Sequence, residues 1–588
     1  MSQLGRALLL LGLSTLLWSI PLLTSQMAGV MDLPIHYQWT AQFARSLREG
    51  VWLPRWNAAS NQGLGDATFV HIHPLYYYLA ALLNTLLDDL WLSMRAVVIA
   101  AHLALGLACY RVVGRLFGAQ GALGSALAAQ WAPYPLLMVV YGQALPTLLA
   151  LPFAVVVIGS MVEDLAQVTS EAGLERADFR PPDRRLLLIG CMALAGVVLS
   201  HVLVAFTLIL CLGCTLGLCL AWPGPWMDGP ARRRLWAWMV RWTGGCVLAL
   251  CISAWYLVPA LLGRSWIHRQ AWALGELVSP ALSWANNAIF PLEALWRGDA
   301  VNQVLLVWLP LPATLTCLWA CRAVWQSRAQ RSKASPELVA LLCFTGLGLA
   351  ALFFASGASA WLWSLSGTLQ QTQFPWRFMG MLSLAAALLI GHVSFQRGRV
   401  FIPAGRGLLA LTLMVSAFLM GMTIFKGAPV VPGAAWLSGQ FGQPEYLPAA
   451  VPMDWAQRVA AVPACETELV GRAARCRLLV EQWQLDRSHD KRLVLAPSQP
   501  MSLVLPVFFH PGWKATLDGK PAAIVADGRT GLVGLQLPEG RHEVRLFWAG
   551  TWLDQIGRIV SVMGALTWMA GLLHLLRLGR RARATAVQ

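Results

Sequence analysis

The chain has 588 residues, of which 57% are hydrophobic and only 12% are charged. Water-soluble proteins carry about twice that charged fraction, so the composition excludes an ordinary soluble enzyme. The formal net charge is +16, but the basic residues form short clusters between apolar runs, as at Arg232–Arg234 and Arg328–Lys333. Such clusters are typical of the cytoplasmic loops of membrane proteins. We therefore predict no nucleic-acid partner.

Apolar runs long enough to cross a bilayer recur along most of the chain. The first run, Leu8–Leu23, lacks a small-residue cleavage site before Asp32 and is interpreted as a retained anchor. The run Leu186–Trp222 is too long for one span, so we divide it at Ser200 and His201. The sequence thus predicts an α-helical polytopic membrane protein with about 12 transmembrane helices. These helices begin near Gly5, Ser93, Ala119, Leu145, Leu186, His201, Val240, Val304, Glu337, Trp376, Gly407 and Gln555.

The basic loops indicate which side of the membrane each connection faces. They lie at Arg111–Arg115, Arg176–Arg185, Arg232–Arg241, Arg322–Lys333, Arg397–Arg406 and Arg577–Arg583. They alternate correctly along the chain if both termini are cytoplasmic.

The stretch His73–Trp91 is apolar, but it is short and contains Asp88 and Asp89 near its end. Counting it as a span would break the alternation of basic loops. We predict instead a helix at the outer membrane surface, so that residues 31–91 form one long extracytoplasmic loop. An amphipathic stretch that ends at Gly50 is suited to the same interface.

One polar region, residues 426–554, is predicted to form a small extracytoplasmic β domain. It contains four β-rich runs, "CRLLVEQW", "MSLVLPVFF", "GLVGLQL" and "HEVRLFW", with turn signals such as Asp518-Gly519 and Asp527-Gly528. Residues 1–425 form the membrane module, and residues 555–588 form a last span with a basic tail. Cys465 and Cys476 are the only cysteines of the β domain. Because that domain is placed in an oxidising compartment, we predict that they form a disulfide.

Several strings resemble a known group of membrane proteins. They are "MDLPIHYQWTAQFARSLREGVWLPRWN", "GLGDATFVHIHPLYYYL", "LSHVLVAFTL", "WYLVPAL", "FPWRF", "EYLP" and "PGWKATLDGK". In this order they resemble the bacterial membrane proteins related to 6-pyruvoyl-tetrahydropterin synthase and the YfhO-like membrane proteins. A first helix followed by an acid and a long outer loop is similar to the GT-C fold. One departure is that family members often carry "RGA-x-x-E" near the fourth span, where this chain reads "YGQALPTLLALPF".

The resemblance implies a glycosyltransferase of the bacterial inner (plasma) membrane. Its donor would be a sugar linked to polyprenyl phosphate, and its acceptor a glycan or lipid of the cell envelope. The reaction would take place at the outer surface, in contact with membrane lipids. Inverting transfer needs a carboxylate that takes the proton of the acceptor hydroxyl. Asp32 matches the family's first-loop acid and is our candidate base, with Asp66 as the next acid to test.

Other polar residues are predicted to bind the substrate. Arg377 lies at the outer end of a span and could bind the donor phosphate, with His201 at an outer turn beside it. His36 follows Asp32 by one helical turn.

His71 and His73 alternate, so they would share a face in an extended segment. With Asp32 they could hold a divalent metal ion, Mg²⁺ or Mn²⁺, or bind the donor phosphate. Each histidine could equally be an interfacial hydrogen-bonding residue, Asp66 a turn residue, and Arg377 a side chain that reaches lipid headgroups.

Two other functions remain open from the sequence. The first is a transporter or flippase for an envelope lipid, although no internal repeat of the kind found in transporters is visible. The second is a non-catalytic envelope assembly protein that works through its β domain. The missing "RGA-x-x-E" acid keeps this second alternative open.

Overall fold

The structure is a computed structural model. It describes residues 2–27, 31–169, 184–221, 229–268, 287–291, 304–329, 335–395, 401–430, 432, 434–437, 443–465, 475–479 and 482–587. Parts of the predicted basic loops, residues 176–183, 330–333 and 397–400, lie outside the described residues, as do residues 480 and 481 of the first predicted strand.

The described residues form a helical membrane module. Nine of their helices are long and apolar enough to cross a bilayer: Leu90–Leu116, Gly121–Val140, Leu145–Thr169, Val202–Leu220, Arg232–Ile252, Leu306–Gln326, Pro336–Ala355, Ala404–Lys426 and Trp552–Leu578. Three shorter helices, Gln3–Trp18, Arg184–Ser200 and Met379–Phe395, begin where spans were predicted. The chain is therefore a multi-pass membrane protein. As predicted, the helix is interrupted at His201, between Ser200 and Val202.

Some of the buried polar groups inside the helical module are paired with one another. The imidazole of His102 stacks on Trp18 at 3.9 Å between ring centroids and contacts the backbone oxygen of Gln130 at 2.9 Å. Asp164 is fully buried and forms an ion pair with Arg241. Pairing of this kind offsets the cost of placing polar groups in an apolar environment.

Between the helices Gln3–Trp18 and Leu90–Leu116, the described residues contain no helix long and apolar enough to be counted as a span. The helices Leu33–Arg48, Thr68–His71 and Leu75–Leu87 lie here. The last has 13 residues and is about 20 Å long, against a hydrocarbon core of about 30 Å. Its length agrees with the prediction of a surface helix instead of a span.

The C-terminal β domain is a two-sheet sandwich. One sheet pairs Arg475–Arg477 with Met501–Phe508, Leu532–Leu537 and Ile524–Ala526 in that order. The other has the order Leu485–Asp486, Asp490–Leu495, His542–Trp548, Trp513–Leu517 and Lys520–Ala522. Asp518 and Gly519, with φ angles of 49° and 76°, form the tight turn of the last hairpin. The first predicted strand ends early, at Arg477.

The first loop and the β domain share one hydrophobic core. Trp56, which is 1% exposed, contacts Trp513 and Trp548 of the sandwich with ring centroids 5.4 and 5.5 Å apart. The backbone N–H of Phe508 donates a hydrogen bond to the carbonyl of Leu64 at 3.0 Å. The sandwich therefore buries apolar side chains of the first loop.

Candidate active site

Asp32 lies at the start of the helix Leu33–Arg48, but its side chain does not cap that helix. The backbone N–H of Asp32 donates to the carbonyl of Gly142 at 3.4 Å, and that of Met31 donates to Oε1 of Gln143 at 2.8 Å. Hence the acid lies beside the segment in which this chain departs from the "RGA-x-x-E" pattern. The carboxylate is open to solvent, yet protein crowds it on most sides. The resulting loss of hydration raises its pKa, and the charge of Arg377 opposes this rise.

Arg377 lies in the short turn Pro375–Phe378, directly before the helix Met379–Phe395. Its Nη2 donates to Oε1 of Gln373 at 2.7 Å, and its guanidinium lies 5.4 Å from the ring centroid of Phe374. Its Nη1 is buried and has no hydrogen-bond partner among the described residues. A buried donor without a partner costs about 1–3 kcal/mol. An anionic ligand could supply the missing acceptor.

Three predicted histidines gather beside this pair. The rings of His73 and His201 are 4.4 Å apart between centroids, and Nδ1 of His36 lies 2.7 Å from the hydroxyl of Tyr77. Burial lowers the pKa of His36 to about 4 and that of His73 to about 3, where the positive charge of Arg377 contributes. These rings are therefore neutral at neutral pH and act as hydrogen-bonding groups. We call Asp32, His36, His73, His201 and Arg377 the outer cluster.

The predicted metal site does not form as a unit. His71 points elsewhere: its Nδ1 lies 3.1 Å from the carbonyl of Ala260, and its ring is parallel to that of Tyr446 at 6.4 Å. His73 instead faces His201. Within the described ranges, no group of three His, Cys, Asp or Glu side chains could hold a metal ion. The prediction that His71 and His73 share a face required an extended strand. The two side chains do not share a face, because His71 is the last residue of the helix Thr68–His71 and residues 71 to 73 do not form a strand.

Asp66 is fully buried within its own turn. Its Oδ1 accepts hydrogen bonds from the backbone N–H and the hydroxyl of Thr68, and its Oδ2 accepts one from Nδ2 of Asn61. Burial raises its pKa to about 6, and these hydrogen bonds act in the opposite direction. The structure therefore favours the turn interpretation of Asp66 over a role as base.

One carboxylate near the outer cluster was not predicted. Glu445 lies in the short helical turn Pro444–Tyr446, within the string "EYLP". Burial, together with the smaller effect of the negative charges of Asp66 and Asp32, raises its pKa to about 6. The carbonyl of Tyr446 accepts a hydrogen bond from the N–H of Ala67 at 3.4 Å, which ties this turn to the first loop. The string carries only a family resemblance, and no periodic pattern marks the acid.

The predicted disulfide partners are bonded in the structure. The Cα atoms of Cys465 and Cys476 are 5.1 Å apart. Cys476 lies on the edge strand Arg475–Arg477 of the sandwich. Residues 466–474 between them lie outside the described residues.

No protein-family model and no curated protein matches the chain. Solved structures with a related arrangement exist. The structural alignment with the Archaeoglobus fulgidus oligosaccharyltransferase in complex with Zn and sulfate has a TM-score of 0.41 at 14% identity. It covers 77% of this chain and 54% of the oligosaccharyltransferase chain. The alignment with ArnT from Cupriavidus metallidurans in the apo state has a TM-score of 0.38 at 12% identity and covers 93% of this chain and 98% of the ArnT chain. The alignment with the mycobacterial arabinofuranosyltransferase AftD has a TM-score of 0.40 at 16% identity and covers 94% of this chain and 40% of the AftD chain.

These neighbours are glycosyltransferases of the GT-C fold. The chain spans about half the length of the oligosaccharyltransferase and 40% of that of AftD. All three likenesses are distant and identify neither a substrate nor a reaction for this chain.

Proposed function

We propose that this protein is a membrane glycosyltransferase. It moves a sugar from a polyprenyl-phosphate-linked donor to a glycan or lipid acceptor of the cell envelope. We also propose that the chain is related to the membrane proteins that it resembles, those related to 6-pyruvoyl-tetrahydropterin synthase and the YfhO-like proteins. The observation that carries it is that the solvent-open carboxylate of Asp32 lies within electrostatic range of Arg377, whose buried Nη1 has no hydrogen-bond partner among the described residues.

In this proposal Asp32 acts as the general base. It takes the proton of the acceptor hydroxyl while that oxygen attacks the anomeric carbon of the donor sugar. The bond between the anomeric carbon and the lipid phosphate breaks on the opposite face, so the configuration inverts. A raised pKa suits this role, because a more basic carboxylate accepts a proton more readily.

Arg377 binds the leaving lipid phosphate. Its guanidinium is already oriented by Gln373 and by the ring of Phe374, which leaves the Nη1 edge for phosphate oxygens. Negative charge grows on the phosphate as the glycosidic bond breaks, and a preoriented cation stabilises that charge. The neutral rings of His73 and His201 can donate hydrogen bonds to the sugar or the phosphate. No step in this scheme requires a metal ion.

We infer an orientation in which both termini are cytoplasmic and the outer cluster faces the extracytoplasmic side of the inner membrane. The alternation of basic loops supports it. The 13-residue helix Leu75–Leu87 also supports it, because a helix of that length leaves the first loop on one side of the membrane.

Envelope glycans provide the direct test of this function. Mass spectrometry would compare glycans from cells with and without the protein. A glycan mass shift of one sugar residue that depends on the protein is expected. A transporter would instead change the side of the membrane on which a glycolipid resides. As a purified protein it would form no glycosidic linkage. Failure of the purified protein to transfer sugar from any polyprenyl-phosphate donor would therefore contradict the proposal.

A further inference from the structure

A second cleft lies between the first loop, the β domain and the start of the last span. Its volume is about 490 Å³. Trp52, Arg55, Arg487, Arg545, Asp554 and Arg558 are among its lining residues. None of its lining residues belongs to the outer cluster, so the two sites are separate.

The carboxylates of this cleft already have partners. Asp554 forms an ion pair with Arg55 at 3.1 Å, and both side chains are less than 8% exposed. Its Oδ2 also accepts hydrogen bonds from Thr551. Asp490 binds Arg545 through two contacts of 2.8 and 2.9 Å. Because these carboxylates are paired with arginines, they repel an anionic ligand only weakly.

Glu49, the third acid of the cleft, is also occupied. Its Oε1 accepts a hydrogen bond from Nε of Arg45 at 2.8 Å. Its Oε2 accepts the backbone N–H and the hydroxyl of Ser488 at 2.7 and 2.6 Å.

Two arginines of the cleft have no acidic partner in the described part of the chain. Arg487 and Arg558 are both exposed. Burial lowers the pKa of Arg55 and the positive charge of Arg558 also lowers it, so the two guanidinium groups lie within electrostatic range of each other. The cleft consequently has an excess of positive charge. Arginine side chains that line one cleft can bind a phosphate group through charge-assisted hydrogen bonds.

The cleft is lined in part by residues at the start of the last span. Arg558 is six residues into the last span, which begins at Trp552. Trp52 and Trp552 are 71% and 62% exposed, as expected for indole rings at a lipid interface. Ile559 and Val562 of the same span are 60% and 59% exposed, so acyl chains can lie along it.

We propose that this cleft binds the phosphate headgroup of an anionic membrane lipid through Arg487 and Arg558. The acyl chains lie along the exposed apolar side of the last span. This site does not depend on the proposed transferase activity.

The test measures lipid binding to the purified full-length protein by native mass spectrometry. The probes are dioleoyl phosphatidic acid, dioleoyl phosphatidylcholine and inorganic phosphate. We expect retention of phosphatidic acid over phosphatidylcholine. The double variant Arg487→Ala/Arg558→Ala should weaken that retention about tenfold or more, the scale for losing charge-assisted hydrogen bonds. Arg541→Ala removes an exposed arginine of the β domain outside the cleft and should change nothing.

Three outcomes would overturn the proposal. The first is equal retention by the wild type and the double variant, with both eluting as folded monodisperse protein. The second is loss of retention in Arg377→Ala but not in the double variant, which would assign the lipid to the outer cluster. The third is displacement of phosphatidic acid by an equal concentration of inorganic phosphate, which would indicate a site for soluble anions.

Discussion

The positive charge of Arg377 acts on the carboxylate of Asp32, although one residue follows the first helix and the other precedes one of the last. The fold brings them together because the backbone of Asp32 is hydrogen-bonded to Gly142, and Arg377 directly precedes the helix Met379–Phe395, which packs on the helices around that segment. A base and a phosphate-binding group on opposite sides of a glycosidic bond are what inverting transfer from a lipid phosphate requires.

Replacing Arg377 with lysine should weaken donor binding about tenfold while leaving the protein folded. Lysine keeps the charge but loses the planar fork that can bind two phosphate oxygens at once. The dissociation constant of a polyprenyl-phosphate-linked sugar, measured in detergent, provides the test. The control is Arg95→Lys, since Arg95 stacks on Trp91 away from the outer cluster. Equal loss in both variants would point to a general effect on the fold.

Donor binding should become severalfold tighter as the pH falls through about 6. Glu445, whose pKa is raised to about 6, is negative above that pH and repels the donor phosphate. Below that pH it is protonated, and the repulsion disappears. A phosphodiester donor keeps its charge from pH 5 to 7.5, and His36 and His73 stay neutral there, since burial lowers their pKa values to about 4 and 3. The measurement is the donor dissociation constant across this range.

Glu445→Gln should bind the donor tightly at every pH of this series. Asp66→Asn serves as the control, because the pKa of Asp66 is also raised to about 6. If the pH dependence survives in Glu445→Gln and is absent in Asp66→Asn, the titrating group is Asp66, and Glu445 has no part in binding.

The disulfide should be detectable by alkylation of unfolded protein. Cys465 and Cys476 should react only after reduction, while the buried thiols react in both samples. Replacing both cysteines with serine should lower the free energy of unfolding of the β domain by about 2–3 kcal/mol, because the bridge closes a loop with a sequence separation of 11. Labelling of both cysteines without reductant would refute the bridge in the cell.

Epitope tags inserted at four positions should show which side of the membrane each position faces. Tags at Arg331 and Gln588, which lie outside the described residues, should be cytoplasmic. Tags near Asn61 and Asp527 should be extracytoplasmic. Accessibility of each tag to an impermeant reagent in intact spheroplasts distinguishes the two sides. A cytoplasmic signal at Asn61 would place the outer cluster on the wrong side for a cell-envelope acceptor.

The sequence predicted the local elements better than the contacts between them. Apolar runs located the long helices, and the turn at Asp518-Gly519 was found from its residues alone. The strands Asp490–Leu495 and Trp513–Leu517 were missed, since three charged residues open the first and the second has only five residues. The burial of Trp56 against the sandwich depends on residues more than 400 positions away. No local pattern contains such a contact.

The same limit applies to the candidate site. Residue types and positions at helix ends indicated Asp32, His201 and Arg377. The separation of His71 from His73 could not be predicted, because it depends on whether those residues are helical or extended. Glu445 was missed because its pKa depends on burial and on two distant carboxylates.

The central claim is that Asp32 is the general base, and Asp32→Asn tests it most directly. Asparagine keeps the size of the side chain and removes the basic oxygen, so transfer should fall about a hundredfold or more. Donor binding should stay largely intact. The matched control is Asp89→Asn, because Asp89 caps the helix Leu90–Leu116 and asparagine caps helices equally well.

The measurement is the glycan mass shift in cells that lack the protein and are complemented with each variant at equal expression. The wild type and Asp89→Asn should restore the shift, and Asp32→Asn should not. Full restoration by Asp32→Asn would contradict the account and place the base elsewhere.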